Sequence, residues 1–103
     1  MKKVKITVMK ITTYPDLILE FENPIEHTCS MKLGDTFISE NGKIPNGFCD
    51  SAWDSVKAFV IELASGGGDF YGGWMKNKYS AMISCNDGFR PVSFLLEALD
   101  SDN

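Results

Sequence analysis

Long apolar runs are absent from the sequence. Its hydrophobic stretches cover only a few residues each, whereas a helix that crosses a bilayer needs about 20 apolar residues. The N-terminal residues alternate lysine with apolar side chains and lack the continuous apolar segment of a signal peptide. These absences predict a cytoplasmic protein with no membrane partner.

Cysteine and histidine are also scarce. The chain has three cysteines and one histidine, and an odd number of widely spaced thiols is typical of a reducing compartment. We therefore expect no structural disulfide. Any catalytic pair of a cysteine and a histidine would have to use His27, because there is no other histidine.

Positive charge is in the minority. Ten lysines and arginines face fourteen aspartates and glutamates, which gives a formal net charge of −4. A chain of this sign is repelled by phosphate backbones at long range, so nucleic acid is not an expected partner.

The composition is that of a globular protein. Hydrophobic residues make up 44% of the chain and charged residues 23%, which excludes a disordered chain or a coiled coil. A length of 103 residues is typical of one domain. We predict a single globular domain over residues 1–99 and a polar tail over residues 100–103.

Period-two alternation of apolar and polar side chains predicts the strands. Residues 3–12 alternate in this way and favour a β-branched strand. Residues 35–39 predict a shorter strand. Residues 79–85 and 92–96 alternate on either side of the turn at residues 86–88, a pattern that predicts a C-terminal β-hairpin.

Helical spacing occurs twice. Apolar side chains at intervals of three and four predict one long helix after Cys49, which ends at the glycines that begin with Gly66. Pro15 is suited to the first turn of a shorter helix, and Pro24 limits that helix to about two turns. The predicted class is α+β: a mainly antiparallel sheet of about four strands with one long and one short helix. A small, partly closed barrel is the alternative.

The thiols are the first candidates for chemistry. Three thiolates and one imidazole form an acceptable tetrahedral zinc set, and the chain offers Cys29, Cys49, Cys85 and His27. The spacing contains no Cys-x-x-Cys knuckle, so the fold would have to bring these residues together, and cysteines often pack as small buried hydrophobes instead. Cys49 is the best candidate for a reactive thiol, because the positive end of the long helix favours a thiolate there.

The glycines of the second half do not predict a phosphate site. Gly66-Gly67-Gly68 ends a helix, whereas phosphate-binding loops follow a strand and open a helix. The segment that follows, residues 69–78, contains Phe70, Tyr71 and Trp74 among further glycines. This aromatic loop is expected to offer apolar surface above a pocket.

The hairpin turn carries the chain's one arginine. Gly88 permits a positive φ, and Asp87 is suited to holding the turn through the backbone. Arg90 has a planar fork that matches a carboxylate. It is expected either to brace the turn against Asp87 or to bind an anionic ligand or partner.

Two strings resemble a known set of proteins. The first is Gly47-Phe48-Cys49 followed by Ala52-Trp53, and the second is Cys85-x-Asp87-Gly88-x-Arg90-Pro91-Val92-x-Phe94. Together with Gly67-Gly68 and Trp74, they resemble a family of small, uncharacterised prokaryotic proteins. The resemblance covers most of the chain, from about Lys3 to Glu97. It implies a bacterial single-domain protein and carries no established activity.

The chain departs from that family at two positions. In the family a second cysteine often precedes the one that matches Cys85, and a proline often follows the one that matches Cys29. This chain has Ser84 and Ser30 there. The missing cysteine weakens any four-thiolate metal site, although His27 is available as a replacement ligand.

From these patterns we predict a binding domain without catalysis, for a small anionic ligand or a protein partner. The expected ligand-binding residues are Cys49, Trp53, Trp74, Cys85, Asp87 and Arg90. No metal or cofactor is expected at this site, and enzymatic activity stays open. The alternative is a thiol-dependent enzyme or a zinc- or iron-binding protein that uses Cys29, Cys49, Cys85 and His27. A third hypothesis is an interaction module whose apolar patch pairs with itself.

Overall fold

The computed structural model describes residues 1–25 and 30–100. Within these residues the elements are β1 (Val4–Ile11), α1 (Pro15–Phe21), β2 (Thr36–Ser39), α2 (Asp50–Ala64), β3 (Ser80–Ser84) and β4 (Val92–Ala98). The strands form one sheet in the order β2-β1-β4-β3, and every neighbouring pair is antiparallel. The predicted α+β class and the C-terminal hairpin are confirmed. The barrel alternative is wrong, because among the described strands β2 and β3 lie at opposite edges of an open sheet.

Strand β1 lies in the interior of the sheet and follows the predicted alternation over most of its length. Val4, Ile6 and Val8 are buried on the face covered by α2. The pairing of β1 with β4 shifts register between Val8 and Lys10. A shift of this kind breaks strict alternation, so the residues after Val8 are exposed although the sequence pattern continues.

Helix α2 packs against the sheet through the predicted apolar stripe. Its buried residues are Ala52, Val56, Val60, Leu63 and Ala64. The helix ends as a Schellman motif: the Gly66 amide donates to Leu63 O at 3.1 Å, and the Gly67 amide donates to Glu62 O at 2.9 Å. Gly66 has a φ of 93°, in the left-handed region that favours glycine.

Phe48 fixes the chain that leads into α2. The centroid of its ring lies 5.0 Å from the ring centroid of Phe37 in β2 and 5.3 Å from that of Phe94 in β4, so Phe48 contacts both strands. Trp53, one turn into α2, meets the same ring edge-on at 6.3 Å. These contacts set the position of Cys49, the residue that follows Phe48.

Helix α1 forms where predicted but does not pack as its spacing suggests. None of its residues is buried, and Leu19 and Phe21 are 88% and 68% exposed. The helix is held at its ends instead. The Tyr14 amide donates to Phe89 O at 2.9 Å, and Glu22 pairs with Arg90. Both tethers lead to the loop between β3 and β4.

No helix in the described part of the chain is both long enough and apolar enough to cross a membrane.

Candidate functional site

A cavity of about 270 Å³ lies between the N-terminal end of α2 and the loop that joins β3 to β4. Three remote stretches of chain supply its walls. The lining residues are Ile25, Cys49, Ser51, Ala52, Cys85, Asn86, Asp87, Arg90, Val92 and Phe94. The cavity therefore combines an apolar floor from the core with a polar rim from the turn.

The topology explains why these stretches meet. Helix α2 is 15 residues long, or about 22 Å. The loop after it begins and ends near the C-terminal end of the helix, where the Asp69 amide donates to Lys78 O, and β3 then runs back along α2. The end of β3 therefore returns to the level of Cys49. This arrangement places Cys85 and the hairpin turn beside the start of α2.

Four of the six predicted ligand-binding residues line this cavity: Cys49, Cys85, Asp87 and Arg90. The two tryptophans do not. Trp53 packs against Phe48, at the edge of the core. Trp74 lies in the loop that follows the other end of α2, where it meets Tyr71 edge-on at 5.3 Å between ring centroids. A ligand-binding role for Trp53 and Trp74 stays a prediction.

Cys49 occupies the N-cap position of α2. Its carbonyl oxygen accepts from the Trp53 amide at 2.9 Å, which starts the helix. Its Sγ lies 3.3 Å from the hydroxyl of Ser51. The side chain at this N-cap makes no hydrogen bond to the helix backbone, so a cysteine stands where serine, threonine, aspartate or asparagine usually caps the first amides of a helix.

Cys85 pairs with Val92 at the loop end of the hairpin. Its amide donates to Val92 O at 3.0 Å, and its Sγ accepts from the Val92 amide at 3.3 Å. The sulfur thus replaces a carbonyl in the strand ladder. Cys85 is present as a thiol.

Asp87 holds the hairpin turn through the backbone, in the way its sequence position suggests. Its Oδ1 accepts from the amides of Phe89 at 2.8 Å and Arg90 at 3.2 Å. Gly88 permits a positive φ but does not adopt one. The carboxylate shapes this turn, and the glycine supplies no special conformation.

The main partner of Arg90 is Glu22. Both terminal nitrogens donate to the Glu22 carboxylate, at 2.6 and 3.1 Å, while the nearest Asp87 oxygen lies 3.9 Å away. The hydrogen bond to Glu22 raises the pKa of Arg90 above its ordinary value, and the negative charges of Glu22 and Asp87 act in the same direction. The brace to Asp87 expected from the sequence is thus secondary.

Sequence reasoning did not find Glu22. It lies 68 positions from Arg90, and no local spacing connects a glutamate at the end of a short helix with an arginine in a distant turn. The consequence for the site is chemical. The Glu22 carboxylate offsets the positive charge of the Arg90 guanidinium, which therefore attracts an anionic ligand less strongly than an unpaired arginine would.

A second, more open depression of about 490 Å³ lies on the α1 side of this ion pair. It shares Ile25 and Arg90 with the first cavity and is otherwise lined by Ile18, Leu19, Glu22, Asn23 and Pro24. The Glu22–Arg90 pair therefore separates two hollows.

The predicted metal set is only partly described. His27 and Cys29 lie outside the described residues. Among residues 1–25 and 30–100, no three or more histidines, cysteines, aspartates or glutamates are grouped so that they could hold a metal ion. A zinc or iron site that includes His27 and Cys29 stays a prediction.

Compared with known proteins, the chain matches no protein-family model, no curated protein and no solved structure. The family resemblance of its two strings stays a prediction.

Proposed function

We propose that the protein is a small-molecule binding domain whose ligand occupies the cavity between α2 and the β3–β4 loop. The observation that supports this proposal is the convergence of Ile25, the start of α2 and the hairpin turn on one partly enclosed space. Concave, mostly apolar spaces with a few polar groups are the usual form of ligand sites. A cytoplasmic location is part of the proposal, supported by the Cys85 thiol at the cavity.

The walls favour a ligand with an apolar body. Ala52, Val92 and Phe94 are all at least 97% buried and form the floor. Hydrogen-bonding groups line the cavity in the hairpin turn and at the start of α2, where the backbone amides carry the positive end of the helix macrodipole. A carbonyl oxygen placed at this wall would accept from them.

The charges favour an uncharged ligand over an anion. Arg90 is already paired with Glu22, and the carboxylate of Asp87 forms part of the wall. An anion would meet the Asp87 charge without a guanidinium available to offset it. The anionic ligand expected from the sequence is therefore less well supported than a neutral one.

The volume limits the ligand to a small molecule. A space of about 270 Å³ corresponds to roughly nine water-sized groups. A ligand of about nine non-hydrogen atoms, at roughly 0.5 kcal/mol for each atom, binds with a Kd of about 0.5 mM. The test must therefore detect weak binding.

Backbone NMR titration with three probes of one shape tests the proposal. Cyclohexanecarboxamide, cyclohexanecarboxylate and cyclohexylmethylammonium share a ring and differ in charge. We expect the amide to shift the resonances of Ser51, Ala52 and Asn86 most strongly. The carboxylate should bind more weakly because of Asp87. The cation has no acceptor for the α2 amides, so it should also bind more weakly than the amide, although Asp87 attracts its charge.

A matched pair of variants locates the binding. Ser51→Leu places a larger side chain at the cavity wall, and Ser65→Leu makes the same change on an exposed residue at the other end of α2. Ser51→Leu should abolish the shifts, and Ser65→Leu should leave them unchanged. The proposal fails if none of the probes shifts these resonances, or if both variants respond alike.

The second candidate function is thiol chemistry, supported by the presence of both Cys49 and Cys85 at the same cavity. Metal analysis of protein purified without added metal tests its metal-binding version. Near-stoichiometric zinc or iron that is lost in Cys49→Ser would favour it over the small-molecule proposal. For the enzyme version, alkylation followed by peptide mass spectrometry should show one cysteine reacting much faster than the others.

A further inference from the structure

We propose that helix α1 is a lid on the cavity between α2 and the β3–β4 loop, and that the ion pair of Glu22 and Arg90 is the latch that holds it shut. The inference rests on the proposed function and deepens it, because it concerns how a ligand reaches that cavity. Release of the latch moves the wall between the two hollows, so that the cavity and the depression become one space. The ligand enters through this space, and the lid closes behind it.

The wall that divides the two hollows consists of side chains outside the core. Ile25 and Arg90 line both the cavity and the depression. Ile25 is 50% exposed, whereas the floor residues Val92 and Phe94 are almost completely buried. Displacing the wall therefore disturbs far less buried packing than displacing the floor, and moving elements are drawn from such weakly packed parts of a structure.

Helix α1 is free to move because it contributes nothing to the core. None of its seven residues is buried, and the apolar side chains of Leu19 and Phe21 are largely exposed. A helix of two turns also has little stability of its own. The position of α1 therefore depends on the contacts at its ends.

The two tethers of α1 differ in kind, and this difference determines how the helix opens. At its start, the Tyr14 amide donates to Phe89 O at 2.9 Å, a backbone contact that fixes the chain soon after it leaves β1. At its end, the contact is between the side chains of Glu22 and Arg90. The helix pivots at Tyr14 and opens at Glu22.

The latch lies at the boundary that it controls. Arg90 lines the cavity and Glu22 lines the depression, and a bidentate pair has a defined geometry that sets the closed position of α1. Asp87 holds the turn that carries the arginine, through hydrogen bonds to the amides of Phe89 and Arg90. The arginine is thus fixed to the hairpin, and the glutamate is the part that moves.

Cys85 is a reporter of lid opening that needs no ligand. Its thiol lines the cavity and is partly buried, so a bulky reagent needs the lid to open and a small one does not. The test compares alkylation of Cys85 by N-phenylmaleimide and by iodoacetamide in the full chain, read by peptide mass spectrometry. Glu22→Gln weakens the latch. It should speed the reaction with the bulky reagent about tenfold and the reaction with the small reagent much less.

Three controls accompany this comparison. Glu20→Gln makes the same change on an exposed residue of the same helix and should leave both rates unchanged. Iodoacetamide reports the reactivity of the thiol itself, because a changed thiolate fraction acts on both reagents alike. Hydrogen exchange of the Phe89 and Arg90 amides shows whether the turn stays folded, and it should be the same in Glu22→Gln as in the unchanged protein.

Three outcomes overturn the lid. They are equal rates for the bulky reagent in Glu22→Gln and Glu20→Gln, equal acceleration of both reagents by Glu22→Gln, and faster exchange of the turn amides in that variant. Binding of cyclohexanecarboxamide is measured separately by NMR. A cavity that binds none of the probes while Glu22→Gln selectively speeds the bulky reagent would refute the proposed ligand site and leave the movement of α1 established.

Discussion

Arg90 donates to both carboxylate oxygens of Glu22, across 68 positions of sequence. The two side chains are only 20% and 15% exposed, so the pair is largely shielded from solvent. Because α1 has no buried residue, this contact and the Tyr14–Phe89 hydrogen bond hold the helix to the hairpin turn. The pair also forms the boundary between the two hollows.

The first prediction concerns the attachment of α1. Glu22→Gln removes the negative charge that the guanidinium contacts, so α1 should open more often. We expect its amides to exchange with solvent about ten times faster, measured by hydrogen exchange and mass spectrometry. Glu20→Gln, an exposed change on the same helix, should have no such effect. Exchange that is equal in the two variants would show that the ion pair does not hold α1.

The sequence predicted the elements well because their patterns are local. The alternation in β1 and the spacing of three and four in α2 reflect which side chains face the core. The structure buries the apolar side chains that these patterns indicate in α2 and in β1 as far as Val8. The end of α2 at Gly66 was also predictable, because helices often end at a residue with positive φ and glycine adopts that conformation most easily.

The site was only partly predictable, because it depends on contacts between distant residues. The positions of Cys49 before a helix and Asp87 in a turn suggested functional roles, and the antiparallel course of α2 and β3 brings them together. Trp74 was grouped with them because it is aromatic and lies in a loop. The sequence does not say how far a loop extends from the helix end at which it begins. This loop begins at the C-terminal end of α2, and the cavity lies at the N-terminal end.

The second prediction concerns the end of α2. Gly66→Ala should destabilise the protein by about 1–2 kcal/mol, because alanine is strained at a φ of 93°. No heavy atom lies within 4 Å of the Cβ that the change adds, so steric contact contributes nothing. Urea denaturation gives the free energy of unfolding.

Gly88→Ala is the control for that experiment. Gly88 does not have a positive φ, and it also has open space around an added Cβ. Alanine there should leave stability unchanged or raise it by up to about 1 kcal/mol, because it restricts the unfolded chain. Equal destabilisation by both changes would contradict the conformational explanation.

The third prediction concerns the anchor of the cavity. Phe48 is 7% exposed and contacts rings from both β2 and β4. Phe48→Ala should cost about 3–5 kcal/mol of unfolding free energy, again measured with urea. Phe21→Ala, at a residue that is 68% exposed on α1, should cost less than about 0.5 kcal/mol. Similar losses from both changes would mean that Phe48 does not anchor the start of α2.

The fourth prediction separates the structural role of Cys85 from any chemical role. Cys85→Ala removes the sulfur that accepts from the Val92 amide, which should cost about 0.5–1.5 kcal/mol and speed exchange of that amide. Cys85→Ser keeps an acceptor at this position and should retain most of the protection. If the serine and alanine variants exchange equally fast at Val92, the sulfur does not close the hairpin, and its position at the cavity would need an explanation in thiol chemistry.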